Sequence, residues 1–387
     1  MPATANRESL TLQHGAPYMF SDVEYTRRRK VTLGLAGEVG CDVVISFGEN
    51  RSGAAITYLT GWPVSRLAVH RLTPSESRMW VQFHNHVPQA RRIAVDTEVC
   101  DVDESFADSL LSGLSCAATL GVVPPRITSE AAQRGVTLRA IDGAHAAVRQ
   151  VKSQEEIAAL RLGAAASDAG AEALIDACVP GATDWDLLAA ARSAYSRLGA
   201  RDHICYIGVT DMERPDRDVP SQFPEGRVLN RGSVVTFELS AAVAPEYPGQ
   251  ILRTVTLGHP SDQYQRLHDV ADLARVSVRR AMVAGRPASD LVDASLVIEE
   301  AGFTTTDDLF HGLGMGYLEP VGTSVSRVPP HRPVGFLETG MAIVVQPNVT
   351  SLDHRAGVQT GEMVVVTDAG IEDIHFVEGG LIVKDGA

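Results

Sequence analysis

The chain has no run of about 18 apolar residues, the length a helix needs to cross a bilayer, so no transmembrane helix is expected. Met1–Leu10 carries Arg7 and Glu8 and lacks an apolar core, so no secretion signal is read there. Positive charge is also scarce. Against 34 Lys and Arg stand 48 Asp and Glu, a formal net charge of −14. That balance argues against nucleic acid or an anionic membrane surface as the main partner. Cysteine is sparse too: Cys41, Cys100, Cys116, Cys178 and Cys205 are odd in number and far apart. Without a C-x-x-C pair, neither a zinc ribbon nor a redox motif is supported. Most of these cysteines are expected to be small buried apolar residues in a reducing cytoplasm. No low-complexity tail and no long charge run is present.

What remains is the composition of a soluble protein with 44% hydrophobic residues, and 387 residues suffice for two domains with separate cores. The first third alternates patterns. Helices are predicted over Tyr25–Val39, Ser105–Leu120 and Ser129–Gly135. Strands are predicted over Cys41–Phe47, Met79–Phe83 and Ile93–Val95, where apolar runs are short. The alternation predicts a small open α/β domain over residues 1–148. Near Ala147–Lys152 the pattern changes. Ser153 and Glu156 have capping-box spacing, and an Ala-rich helix follows to about Cys178, stopped by Pro180-Gly181.

The predicted second domain, residues 149–387, reads as helix, helix and strands, twice over. Its helices are expected at Asp184–Leu198, Gln263–Ala284 and Ala288–Ala301. Its strands are expected at Cys205–Val209, Val234–Val243, Ile251–Leu257, Met341–Gln346, Glu362–Thr367 and Ile371–Phe376. Two such halves can face each other across a crevice suited to a ligand.

Three segments look like more than scaffold. In Arg231–Gly258, Glu238 interrupts an apolar strand, where a carboxylate needs either a partner or a function. The plain alternative is that Arg253 on the returning strand pairs with it. In Phe310–Pro320, His311 is followed by Gly312, Gly314 and Gly316, which allow a ligand close approach. In Gly340–Gly370, Gln346-Pro347-Asn348 ends one strand and Gly361-Glu362 opens another. Elsewhere, His84 and His86 are placed on one strand face, with a solvated pair as the bland reading.

In this order the segments resemble the pita-bread superfamily of methionine aminopeptidase, aminopeptidase P, prolidase and creatinase. The matching stretches are Ala55–Trp62, Val148–Leu160, Arg253-Thr254 with Gly258, His311–Gly314, Glu319-Pro320, Gly340-Met341 with Pro347, and Gly357 with Val366-Thr367. The resemblance implies a small creatinase-like α/β domain followed by a pseudo-two-fold catalytic domain. It also assigns five metal-ligand positions, and here these hold Glu238, Gln250, His311, Gln346 and Gly361, with Glu362 next to the last. Two divalent ions need anionic ligands to offset their charge, so no metal and no other cofactor is expected. Two further family histidines fall on Ser221 and Leu318.

The resemblance to creatinase implies metal-free cleavage, by a hydrolase or a lyase, of a C–N bond in a small amino-acid-like, amide, guanidino or urea-type metabolite. His311 is the expected acid/base, with Glu238 or Glu319 orienting it or clamping substrate. Gln250 and Gln346 suit a neutral polar group. Tyr247, Arg253, Glu362 and Ser221 are expected nearby. Arg66 and Trp62 are expected to reach the pocket of a partner chain in a homodimer, Arg66 gripping a carboxylate. Two alternatives stay open: a non-catalytic binding relative, and an Xaa-Pro-type metallopeptidase with altered ligands.

Overall fold

The computed structural model describes residues 20–50, 52–243 and 246–384. The Met1–Leu10 stretch lies outside them. The chain divides into two compact units, Tyr18–Arg149 and a unit containing Gln150–Ala387.

The first unit is built on a six-stranded sheet of β1 (Val44–Gly48), β2 (Ala68–Leu72), β3 (Ser77–Val81), β4 (Glu98–Asp101), β5 (Cys116–Leu120) and β6 (Thr137–Ala140). Their order is β4-β3-β2-β1-β5-β6. Apolar clusters are built around Phe47, Trp80 and Leu110, and around Ile56, Trp62 and Met79. At two short apolar runs the elements differ from those expected. Ile93 ends the helix Val87–Ile93, and the strand follows at Glu98. The stretch expected as one helix, Ser105–Leu120, is a helix Phe106–Leu111 and then β5. His84 and His86 sit in a 3₁₀ turn at the surface, bonded to Asp101 and Ser65 respectively, and share no strand face. Burial fits the cysteine expectation for Cys178 and Cys205, whereas Cys41 and Cys116, which lead into the paired strands β1 and β5, form a disulfide.

The second unit opens as its sequence dictates. Ser153 Oγ accepts from Glu156 N at 3.2 Å while Glu156 Oε2 accepts from Ser153 N at 2.8 Å, satisfying donors at the start of the helix Gln154–Ala177. Its strands are β7 (Arg201–Asp211), β8 (Ser233–Val243), β9 (Tyr247–Leu257), β10 (Thr304–Thr305), β11 (Phe310–Gly314), β12 (Gly316–Gly322), β13 (Ala342–Val345), β14 (Val349–Thr350), β15 (Gly361–Thr367), β16 (Gly370–Asp373) and β17 (Ile382–Lys384). The two halves do not keep separate sheets. β9 pairs with β15, giving one nine-stranded sheet whose main path runs β12-β11-β13-β15-β9-β8-β7. The helix Asp262–Ala281 packs its buried Tyr264, Leu267, Ala271, Ala274 and Val278 into a core with Phe310, Val345, Val349 and Val364. Ala288–Ala301, expected as one helix, is broken into two short turns, Asp290–Asp293 and Val297–Glu300. Among the described residues, no helix is long and apolar enough to cross a membrane.

Candidate active site

Strand alternation decides which side chains meet, because successive residues point to opposite faces. β8 and β9 pair Glu238 with Leu252 and Ser240 with Gln250, so Glu238 and Gln250 share a face. β11 and β13 pair His311 with Val344, which puts His311 on the face that Gln346, two residues on, continues. β15 meets β9 with Gly361 opposite Leu252, on that same face. These strands therefore converge on a pocket of about 410 Å³ lined by Glu238, Gln250, His311 and Gln346 together with Tyr206, Asp307 and Tyr317, and with Val219, Pro220 and Gln222 at one side.

The polar groups form one chain. Gln250 Nε2 donates to Glu238 Oε1 at 2.7 Å and to Gln346 Oε1 at 2.9 Å. The Gly312 carbonyl lies 3.1 Å from His311 Nδ1 and accepts its proton, which leaves the imidazole lone pair on Nε2. The close strand pairing here needs a residue without a side chain. A Cβ on Gly312 would come within 2.4 Å of the Glu319 carbonyl oxygen. Tyr317 stacks on the His311 ring with centroids 4.1 Å apart, and its hydroxyl donates to Asp308.

Burial governs the charges. It pushes the His311 pKa down to about 4, although the Gly312 carbonyl, Asp308 and Gln346 favour the charged ring. Burial, and then the nearby Asp307 and Asp308, push the Glu238 carboxyl up to about 8. Burial raises Asp307 as well. At neutral pH His311 is therefore uncharged and Glu238 protonated.

Several expected site residues do not line this pocket. Arg253 is opposite Phe237 on β8, so it lies on the face away from Glu238 and the two do not pair. It is bound instead to Glu362, at 3.0 Å, and to the carbonyls of Gly361, Val377 and Glu378. Glu362 follows Gly361 by one residue, so it also points away from the pocket, and Arg275 and Arg279 complete its clamp at 2.9 and 2.8 Å. Tyr247 is buried, with its hydroxyl 2.5 Å from Glu156. Glu319 is exposed, and its carboxylate accepts from Val321 N at 2.7 Å. Ser221 neighbours the pocket-lining Pro220 and Gln222, but its hydroxyl donates to Glu225 and accepts from Arg217. Trp62 is 3% exposed inside the first unit's own core, so its ring offers no surface to a ligand. Arg66 is exposed and donates to Asn50 at 3.0 Å.

Tyr206, Asp307, Asp308 and Tyr317 were not foreseen. The acid pair directly ahead of His311 was the available signal for two of them. Tyr206 becomes visible only through its pairing opposite Glu238 across β7 and β8.

The donor set does not fit two divalent ions. The pocket offers carboxyls from Glu238 and Asp307, the imidazoles of His203 and His311, and the neutral carboxamides of Gln222, Gln250 and Gln346, where such a pair needs several anionic oxygens. Among the described residues, no three His, Cys, Asp or Glu side chains come together as metal donors. Nor can position 361 take a carboxylate in this backbone, since φ is +137° and a Cβ would fall 1.9 Å from the Val345 carbonyl oxygen.

Fold and sequence place the chain among pita-bread hydrolases. It belongs to Metallopeptidase family M24, whose pattern matches residues 158–368. A Sinorhizobium fredii protein described as an uncharacterized hydrolase/peptidase is 24% identical, the match covering 92% of this chain and 95% of that protein. The Bacillus subtilis uncharacterized peptidase YqhT is 27% identical over 61% of this chain and 65% of its own length. Among solved structures, the X-Pro aminopeptidase from Thermotoga maritima superposes with TM-score 0.80 at 20% identity, covering 92% of this chain and 99% of its own. The Xaa-Pro dipeptidase from Bacillus anthracis gives TM-score 0.78 at 19% identity, covering 93% and 100%. At these identities the structures speak for the fold alone.

Proposed function

We propose that the chain is a metal-independent hydrolase that cleaves a C–N bond of a small amino-acid-like, amide, guanidino or urea-type metabolite, with His311 carrying the proton. The observation that supports this most is the state of His311. It is buried, uncharged at neutral pH, tied through Nδ1 to Gly312 and stacked on Tyr317, so that Nε2 is the basic atom. In the proposed reaction water adds to the carbon of the scissile bond and His311 Nε2 takes its proton. The C–N bond then breaks and the imidazolium returns that proton to the departing nitrogen. Glu238, protonated below about pH 8, donates a hydrogen bond to the oxygen or nitrogen that gains charge as water adds.

The names of the fold neighbours favour a second reading, an Xaa-Pro-type peptidase. The carboxamides at Gln250 and Gln346 weigh against it. A screen of N-acyl amino acids, ureas and guanidino acids decides whether there is turnover. On a turned-over substrate, His311→Ala should lower kcat by about 10²–10⁴-fold, the usual contribution of a positioned acid/base. His311→Gln should not restore it. Near-normal turnover in His311→Ala would overturn the assignment, and ligand binding without any turnover would favour the binding-only reading.

The proposal extends to a homodimer in which the exposed Arg66 of one protomer grips a substrate carboxylate in the partner's pocket. The absence of Lys and Arg from the lining residues supports it, since a carboxylate finds no cation there. Light scattering should give twice the monomer mass, and a monomer would count against this part.

A further inference from the structure

The helix Asp22–Glu38 carries four bases in a row, Arg27, Arg28, Arg29 and Lys30, in a chain short of positive charge. Glu24 answers the first two, with its carboxylate 2.7 Å from the guanidinium of each. The other two have no carboxylate within ion-pair distance among the described residues. Arg29 directs its N–H groups to neutral acceptors: the carbonyls of Leu59 at 3.1 Å, of Val95 and of Asp96, and the Thr97 hydroxyl at 3.2 Å. These acceptors satisfy its hydrogen bonds without cancelling its charge. Burial works against that charge, and the nearby Asp96 favours it.

Arg29 and Lys30 both line a cavity of about 650 Å³ that lies wholly within the first unit. One wall is a stripe of the helix, Arg29, Lys30, Leu33 and Gly34, which three- and four-residue spacing places side by side. A Cβ at Gly34 would meet no atom within 4 Å, so the helix leaves open space there. The other wall is the turn from β2 to β3. Thr73 pins this turn: its Oγ1 accepts from Glu76 N at 2.9 Å, and its amide donates to the Glu76 carbonyl at 2.8 Å. The Glu76 carboxylate is already paired with Arg71 and Arg78, at 3.9 and 3.0 Å. Among the lining residues Asp96 is thus the single acid left against two unpaired bases. The cavity keeps an excess of positive charge in a protein whose net charge is −14.

We infer that this cavity is a binding site for a small carboxylate with a short apolar body, independent of the reaction proposed for the second unit. Lys30 supplies a charge-assisted donor, and Arg29 adds positive potential from the wall. Leu33, Leu72 and Pro74 offer apolar surface to the body of the ligand. The excess of charge is small, which suits a monoanion. The carboxylates of Glu76 and Asp96 oppose a phosphate dianion by like-charge repulsion.

The probes are isovalerate, its neutral isostere isovaleramide, and inorganic phosphate, each titrated against the full chain by ligand-observed NMR. Isovalerate should bind at least about tenfold more tightly than isovaleramide, the increment expected when a hydrogen bond becomes charge-assisted. The preference should shrink as salt rises, because the exposed Lys30 ammonium is screened. Lys30→Gln should bring it towards unity. Gly34→Leu should abolish binding of both organic probes, since the new side chain occupies the open space and leucine is a good helix former. Arg126→Gln, at an exposed base outside the cavity, and His311→Ala, in the second unit, should each leave the preference unchanged. Positions 30 and 34 are both exposed, and circular dichroism checks that their variants keep the fold.

Equal binding of isovalerate and isovaleramide, no binding of isovalerate, or tighter binding of phosphate than of isovalerate would each overturn the inference. So would a preference that survives both Lys30→Gln and Gly34→Leu. A preference lost on His311→Ala would assign the anion to the second unit's pocket and overturn it as well.

Discussion

Glu238 and Glu362 lie in the same sheet with β9 between their strands, and their surroundings are opposites. Glu362 sits on the face away from the pocket, where burial alone would raise its pKa. Arg253, Arg275 and Arg279 more than offset that and hold it below the usual carboxylate value. Glu238 sits on the pocket face with no cation, and burial together with Asp307 and Asp308 lifts it to about 8. One carboxyl is a charged strut and the other a proton-bearing group open to a ligand. A single step of strand alternation separates these outcomes, since Gly361 occupies the pocket face where Glu362 does not.

The contrast breaks most visibly at Glu362. Glu362→Gln leaves the buried Arg253 guanidinium, with the half-buried Arg275 and Arg279, around a neutral amide, and it should cost about 3–5 kcal/mol of stability at neutral pH, the usual range for removing one partner of a buried ion pair. Chemical denaturation measures this. The depressed folded-state pKa has a clear consequence in acid. The contribution of Glu362 is present above its unfolded pKa of about 4.5 and is lost as pH falls through the lower folded value. A Gln variant as stable as the parent would remove the strut from the account.

Glu238→Gln should act the other way and more weakly. Its folded-state pKa lies above the unfolded value, so the native state keeps a proton that the unfolded chain releases. Stability therefore falls as pH rises from about 4.5 towards 8. The neutral amide escapes this loss, and the variant should be more stable than the parent near pH 8 by roughly 2–4 kcal/mol. The difference should vanish near pH 4. In the parent, turnover should rise with pH through about 4 as His311 deprotonates and fall through about 8 as Glu238 does. Glu238→Gln should abolish the alkaline limb. Destabilisation at pH 8 would mean that Glu238 is ionised in the fold.

Much of this contrast could be read from the sequence, and the part that could not has a physical cause. The capping box at Ser153 and Glu156 was readable because both partners lie within four residues. Glu238 stood out as a lone carboxyl in an apolar strand, and the glycines after His311 marked close backbone packing. Which face each strand turns to the pocket depends on register between strands far apart in sequence, and register is invisible locally. Hence Arg253 and Glu362 were grouped with the pocket, although they lie behind it. For the same reason Tyr206 was missed, since it gains meaning only opposite Glu238. In the first unit, short apolar runs such as Cys116–Leu120 do not separate strand from helix by periodicity, and β5 was absorbed into a helix.

The central claim is that the pocket at the family's metal position is a neutral hydrogen-bonded site rather than a metal centre. Its most direct test is elemental analysis of the full chain purified without chelator, repeated after incubation with manganese, cobalt and zinc and removal of the excess. The account predicts no stoichiometric divalent metal in either preparation. Two equivalents of any of these ions per chain, lost on Glu238→Gln or His311→Ala, would contradict it.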